Sequence, residues 1–136
     1  MIELLRGSEV LRICKEKKQT IGAMMLERET ELQGKSKQVL LADMQQQLTT
    51  MRLAIKRGLD QPPRSLGGLV GGEAARLYSA AQTPSFSGKH LLLGAAMAMA
   101  TVEVHACMGR IVAAPKARAS GLLPAVLLAA PQPHGS

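Results

Sequence analysis

Aromatic residues are nearly missing from this sequence: there is no Trp, one Tyr (Tyr78) and one Phe (Phe86). Sheet proteins fill their inner faces with aromatic and β-branched side chains, so the scarcity argues against a β-sandwich. Cysteine is scarce as well, and Cys14 and Cys107 stand 93 residues apart. A metal site built from one chain needs several ligands, usually with one short spacing, which two isolated thiols do not supply. Free thiols in a reducing, cytoplasmic compartment are the expectation. Long apolar runs are also lacking. The longest, Leu91 to Val102, is about a dozen residues where a bilayer span takes about 20, so no membrane segment is expected. The opening "MIELLRGSEVLRICKEKK" has neither a long apolar core nor a small-residue cleavage pattern, and no signal peptide is expected.

What the 136 residues do contain is 46% hydrophobic residues, 20% charged residues and a net charge of +7. With so few aromatics the core must come from Leu, Ala, Met and Val, with Gly letting backbones approach. The basic residues are scattered among acids, as in "CKEKKQ" and "LERETELQGKSKQ". No aromatic stacking partners accompany them, which reads as a solvated helical surface and not as a nucleic-acid interface.

Apolar spacing of three and four predicts helices over about Ser8–Gln19, with Ser8 as N-cap, over Thr20–Leu32, closed by Gly34, and over Ser36–Arg57. In the last, Leu40, Leu41, Met44, Leu48, Met51 and Ile55 form one stripe. Ser36 is placed to cap it, and Gly58 to end it in the left-handed conformation. Pro62 and Pro63 bar continuation. A Gly-rich loop leads into a helix over Glu73–Ala81, and a second loop, "QTPSFSGKH", precedes a mostly buried helix over about Lys89–Met108. A short helix from about Gly121 carries Pro124 in its first turn, and 131–136 is a breaker-rich tail expected to fray. The reading is all-α: five to six helices with Gly-rich loops, as one partial domain over 1–130.

Three groups of residues could carry chemistry. "SLGGLVGGEA" points backbone amides at the start of a helix, an arrangement that suits carboxylates and phosphates; it lacks the Gly-Lys-Ser/Thr of a nucleotide-binding loop, and a tight structural turn explains it as well. Glu103 and His105 form an acid–imidazole pair in sequence, yet residues two apart on a helix point to different sides. Arg110 and Lys116 could clamp a carboxylate or be solvated ends of a turn.

The order of the pieces is more specific than any one of them. "MRLAIKRGL", "SLGGLVGGEAARL", "SFSGKHLLLGAAMAMATVEVHACMGRIVAAP" and "SGLLPAVLLA" together resemble the α chain of iron–sulfur-dependent L-serine dehydratase (L-serine ammonia-lyase), over Met1 to Ala130. Ser65, Gly68, Leu69, Gly71, Gly72, Glu73 and Ala74 match one family motif. Ser87 and Gly88 match a second, and Glu103, Val104, Ala106, Met108 and Gly109 a third. The resemblance implies L-serine as substrate and a [4Fe–4S] cluster whose open iron acts as Lewis acid on the serine hydroxyl. It further implies Gly-rich loops that hold the amino acid's carboxylate, with Ser65, Gly68, Gly71, Gly72, Ser87, Gly88, His105 and Lys116 as substrate-binding candidates. Departures stand beside the matches: His105 replaces the family's Asn, and Lys116 and Arg118 replace its Thr and Gly. The family's α chain runs much further, with its cluster cysteines in later stretches. The implied chain is therefore a partial α chain, inactive alone, with no metal ligands of its own. It would depend on a β chain or the missing C-terminal half, or self-associate through exposed apolar faces. The alternative is a small basic helical interaction module without catalysis.

Overall fold

Alanine, more than leucine, builds the interior. The computed structural model describes residues 6–84, 86–113 and 116–130, the side chain of Arg118 aside. Among them are six α-helices, one 3-10 turn and no strand, the all-helical class that the periodicity predicts. The helices are α1 (Gly7–Lys17), α2 (Ile21–Gln33), α3 (Lys37–Asp60), α4 (Glu73–Ala80), α5 (Lys89–Ala106) and α6 (Leu122–Ala129); the 3-10 turn, Ala117–Ala119, precedes α6. The expected tail, 131–136, lies outside the described residues. The chain divides into two compact units, 1–46 and 47–136, with the division falling inside α3.

In the first unit, α1 starts one residue before the expected cap. The Glu9 carboxylate accepts the Arg6 N–H at 3.1 Å, so Arg6 is the N-cap and Ser8 lies within the helix. Thr20 caps α2 by accepting the Ala23 N–H at 3.2 Å, and Gly34, at φ +64°, ends it. Met24 and Leu40 are the buried apolar residues described in this unit. Around them run exposed ion pairs: Lys17–Glu27 at 3.3 Å, Lys35–Asp43 at 2.8 Å and Arg12–Glu16 at 2.9 Å.

The second unit is packed on small side chains. Met51, Ala54 and Ile55 of α3, Ala74 of α4, Ala96, Ala100 and Val104 of α5, and Ala125 of α6 are buried. Gly58 was expected to stop α3, but the helix continues to Asp60, with Lys56 and Asp60 paired at 2.7 Å across its last turn. The glycine serves packing instead: a Cβ there would stand 2.6 Å from the Ala100 carbonyl oxygen. Gly121 does the same against α5, where a Cβ would meet the Ala98 carbonyl oxygen at 2.5 Å. Further along, Ala129 approaches Gly94, and its carbonyl lies 3.3 Å from His90 Nδ1. Hence α6 runs back along α5, from Ala98 toward His90.

Two expectations about the core need correcting. The α3 stripe is partial: Leu40, Met51 and Ile55 are buried, while Leu41 and Met44 are exposed. The α5 segment is not covered all round either, since Leu91, Met99 and Val102 reach solvent. Along α5, neighbours that approach on alanine and glycine leave the larger side chains outside.

Candidate functional site

The Gly-rich stretch is a closed loop tied by its first serine. Ser65 N–H donates to the Val70 carbonyl at 2.9 Å, Gly68 N–H donates to the Ser65 carbonyl at 2.8 Å, and the Ser65 hydroxyl accepts the Val70 N–H at 3.2 Å. Gly71 and Gly72 then turn the chain into α4 with φ of +150° and +91°. At Gly71 no other residue fits, because a Cβ would lie 2.5 Å from the Pro63 carbonyl oxygen.

Three amides of this turn are already engaged by carboxylates of the chain. Gly71 N–H donates to Glu73 at 2.8 Å. Gly72 N–H donates to Glu103 Oε2 at 3.0 Å, and Ala74 N–H to Glu103 Oε1 at 2.8 Å. Glu103 comes from α5 and is 2% exposed. The Gly71 N–H, foremost, and the Glu73 backbone N–H hold the Glu73 carboxyl below its ordinary value of 4.5, with the charge of Arg76 as a lesser cause. Among the described residues, the amides of Leu66, Gly67 and Leu69 have no hydrogen-bond acceptor, and all three residues are exposed.

The other candidates fall in different places. Gly88, at φ +80°, is the N-cap of α5, and Ser87 beside it is exposed. Glu103 lies fifteen residues beyond Gly88, which at 1.5 Å per residue is about 22 Å along the helix. The Ser87–Gly88 motif and the Gly71–Gly72 turn therefore sit at opposite ends of α5. His105 shares the second end with Glu103 but is exposed, as is Lys116. Helix α5 closes by a paired turn in which Met108 N–H bonds the His105 carbonyl at 3.0 Å and Gly109 N–H the Val104 carbonyl at 2.8 Å. This places Met108 at φ +59°, where glycine is usual.

Two features escaped sequence reasoning. The sequence sets Glu103 and His105 on different sides of the helix but does not say what Glu103 faces; it stands on the Ala96–Ala100 face of α5, and an acid on a buried stripe implies a set of donors waiting for it. Ser120 is buried, and among the described residues its hydroxyl finds no hydrogen-bond partner; no local pattern signals that. Among the described residues, no three His, Cys, Asp or Glu side chains are grouped to hold a metal ion. Cys14 and Cys107, both free thiols, belong to different units.

Comparison with known proteins gives one consistent result. A family model described as serine dehydratase alpha chain matches residues 16–135. The chain is 36% identical over 122 residues to a probable L-serine dehydratase, alpha chain, of Bacillus subtilis (strain 168), covering 89% of this chain and 40% of that protein. It is 32% identical over 127 residues to the L-serine dehydratase, alpha chain, of Peptoniphilus asaccharolyticus, covering 93% of this chain and 44% of that one. It thus spans less than half the length of these relatives. No solved structure matches it.

Proposed function

Since the chain belongs to the serine dehydratase α-chain family, we propose that it forms part of the substrate cradle of an L-serine dehydratase, a cytoplasmic enzyme that converts L-serine to pyruvate and ammonia. The observation that carries this reading is the Ser65–Gly72 loop, a family motif in sequence, folded with unbonded amides at Leu66, Gly67 and Leu69. The Ser65 hydroxyl accepts from Val70 and keeps its own proton to donate to a carboxylate or hydroxyl of the substrate. Gly68, at φ +68°, lets the loop bend with no side chain in the way of a small zwitterion. His105 and Lys116 remain candidates on their motif positions, and Ser87 and Gly88, at the other end of α5, are candidates only for a separate contact, since one small zwitterion does not span that helix.

The reaction is a β-elimination. The α-proton and the hydroxyl leave as water, and the resulting aminoacrylate becomes an imine that water hydrolyses to pyruvate and ammonia. An iron–sulfur cluster supplies Lewis acidity to such a hydroxyl when bound. The described residues do not fit one, because clusters are held by several thiolates, the sequence has two cysteines, and no three His, Cys, Asp or Glu side chains are grouped among the described residues. We assign those ligands to the length of the relatives that this chain does not span.

The partner proposed is that remaining length, together with a β chain. Helix α6 supports it: Leu122, Leu123, Val126 and Leu127 are all exposed, Leu122 by 66%, on a helix of eight residues. A contiguous apolar face of this kind marks an interaction surface. A second copy of the chain is the rival occupant. No described helix is long and apolar enough to cross a membrane. A basic interaction module without catalysis draws no support from the comparisons.

The test is anaerobic reconstitution with iron and sulfide, followed by an assay for pyruvate from L-serine. The chain alone is expected to form none. Joined to the rest of the Bacillus subtilis relative, it is expected to form pyruvate, and Ser65→Ala is expected to raise KM. A joined protein that loads iron yet leaves L-serine untouched would refute the reading.

A further inference from the structure

Glu103 is the buried charged residue among those described; each of its oxygens accepts an amide of one turn, and the Glu73 carboxyl lies within hydrogen-bond reach beside it. It reaches across 31 and 29 residues of sequence to Gly72 and Ala74. A carboxyl group taken from water is strongly disfavoured unless donors replace the water. Here the donors are two free amides at the positive end of α4. The relation also runs the other way. Gly72 is the N-cap of α4 and has no side chain with which to cap it. Glu103 supplies the missing acceptor from another helix.

From this geometry we infer that Glu103 is a positioning residue: it occupies the carboxylate seat at the start of α4, fixes the Gly71–Gly72 turn, and leaves the Leu66, Gly67 and Leu69 amides as the ones open to a substrate carboxylate. The second half of that statement deepens the lyase reading and rests on it; the first half does not. Gly71 and Gly72 then shape the loop without touching substrate through their amides. Tying the turn to α5 also couples the loop to the helix that carries the Glu103–Gly109 motif.

Replacing Glu103 by Ala removes a group the size of acetate, so the vacated seat can be refilled from solution. The probes are acetate and, at equal ionic strength, chloride. Glu103→Ala is expected to lower Tm by about 5–10 °C, as loss of a helix cap does in a domain of this size. Acetate is expected to restore part of that in a saturable way and to move the Gly72 and Ala74 amide resonances, while chloride does neither. Glu103→Gln fills the seat but cannot accept with both ends, so it should be destabilised and deaf to acetate. A Glu103→Ala protein that responds no better to acetate than to chloride would overturn the assignment. The unmodified chain supplies a test free of any folding defect: Gly72 and Ala74 amides should exchange with deuterium slowly and ignore added acetate, while those of Leu66, Gly67 and Leu69 exchange fast. Fast exchange at Gly72 and Ala74 would equally overturn it. None of these readouts needs turnover. A failed seat is therefore distinguishable from a failed lyase assay, and L-serine shifting Gly72 in place of Leu66, Gly67 and Leu69 would sink only the second half.

Discussion

The two units of this chain hold themselves together by opposite means. The first, 1–46, buries Met24 and Leu40 and surrounds them with charged pairs in water. Exposed pairs of that sort contribute little to stability. The second, 47–136, brings backbones close enough that glycine is required at the crossings and buries an acid under a helix end. The lesson is that tolerance to change must differ sharply between the two. In the first unit an exposed side chain can be exchanged at small cost; at the crossings of the second, one added methyl meets a carbonyl.

The largest expected effect breaks the second unit at its narrowest point. Gly58→Ala places a Cβ on the Ala100 carbonyl and must push α3 from α5, at a cost of about 3 kcal/mol in urea unfolding. Gly22→Ala, in the first unit, meets nothing within 4 Å and sits inside α2, where Ala is favoured by about 1 kcal/mol; it should stabilise.

A smaller contrast tests the left-handed residues. Met108 (φ +59°) and Lys18 (φ +50°) both end helices in a conformation that costs other residues about 1–2 kcal/mol. Met108 is 92% exposed, so Met108→Gly relieves strain without losing a packed side chain. Both Met108→Gly and Lys18→Gly should raise stability by about 0.5–1 kcal/mol, read as a rise in melting temperature. Equal gains would show that helix ends, unlike crossings, obey the same rule in both units.

The smallest effect is electrostatic and compares one carboxyl from each unit. Glu27 is held below its ordinary value of 4.5 first by a hydrogen bond from Lys17 and then by one from Gln19. Glu73 is held low first by the backbone N–H of Gly71. A carboxyl whose folded value is depressed adds stability that is complete above its unfolded value and lost as pH falls through the folded one. Glu27→Gln and Glu73→Gln should therefore each flatten the loss of stability below about pH 4.5. High salt should shrink the Glu27 difference to the part that Gln19 supplies, because it screens the Lys17 ammonium, and leave most of the Glu73 difference, because the foremost donor there is a neutral amide. Equal salt sensitivity would break the comparison.

Much of this could be read from the sequence where the cause is local. Thr20 and Gly34 bracket α2 because capping depends on neighbours three and four residues away. Where the cause is distant, local reading fails. Gly58 has every mark of a helix stop, yet its role is set by Ala100, 42 positions later. The Leu41–Met44 side of α3 looks like core by spacing, but spacing cannot say how closely a neighbour approaches. Ser8 loses its expected cap to Glu9, a competition between adjacent side chains that propensity ranks do not decide. The candidate site divides along the same line. The bend of the Ser65–Gly72 loop is legible from its glycines, whereas the residue that takes the Gly72 amide comes from 31 positions away.

The glycine crossing of α3 and α5 has one further consequence. Helices that meet on hydrogen and methyl groups withdraw little oily surface from water for each residue they order. Melting the second unit should then release less heat capacity than a leucine-filled body of equal length. Its stability curve is correspondingly flat, with a cold limit and a warm limit lying far apart.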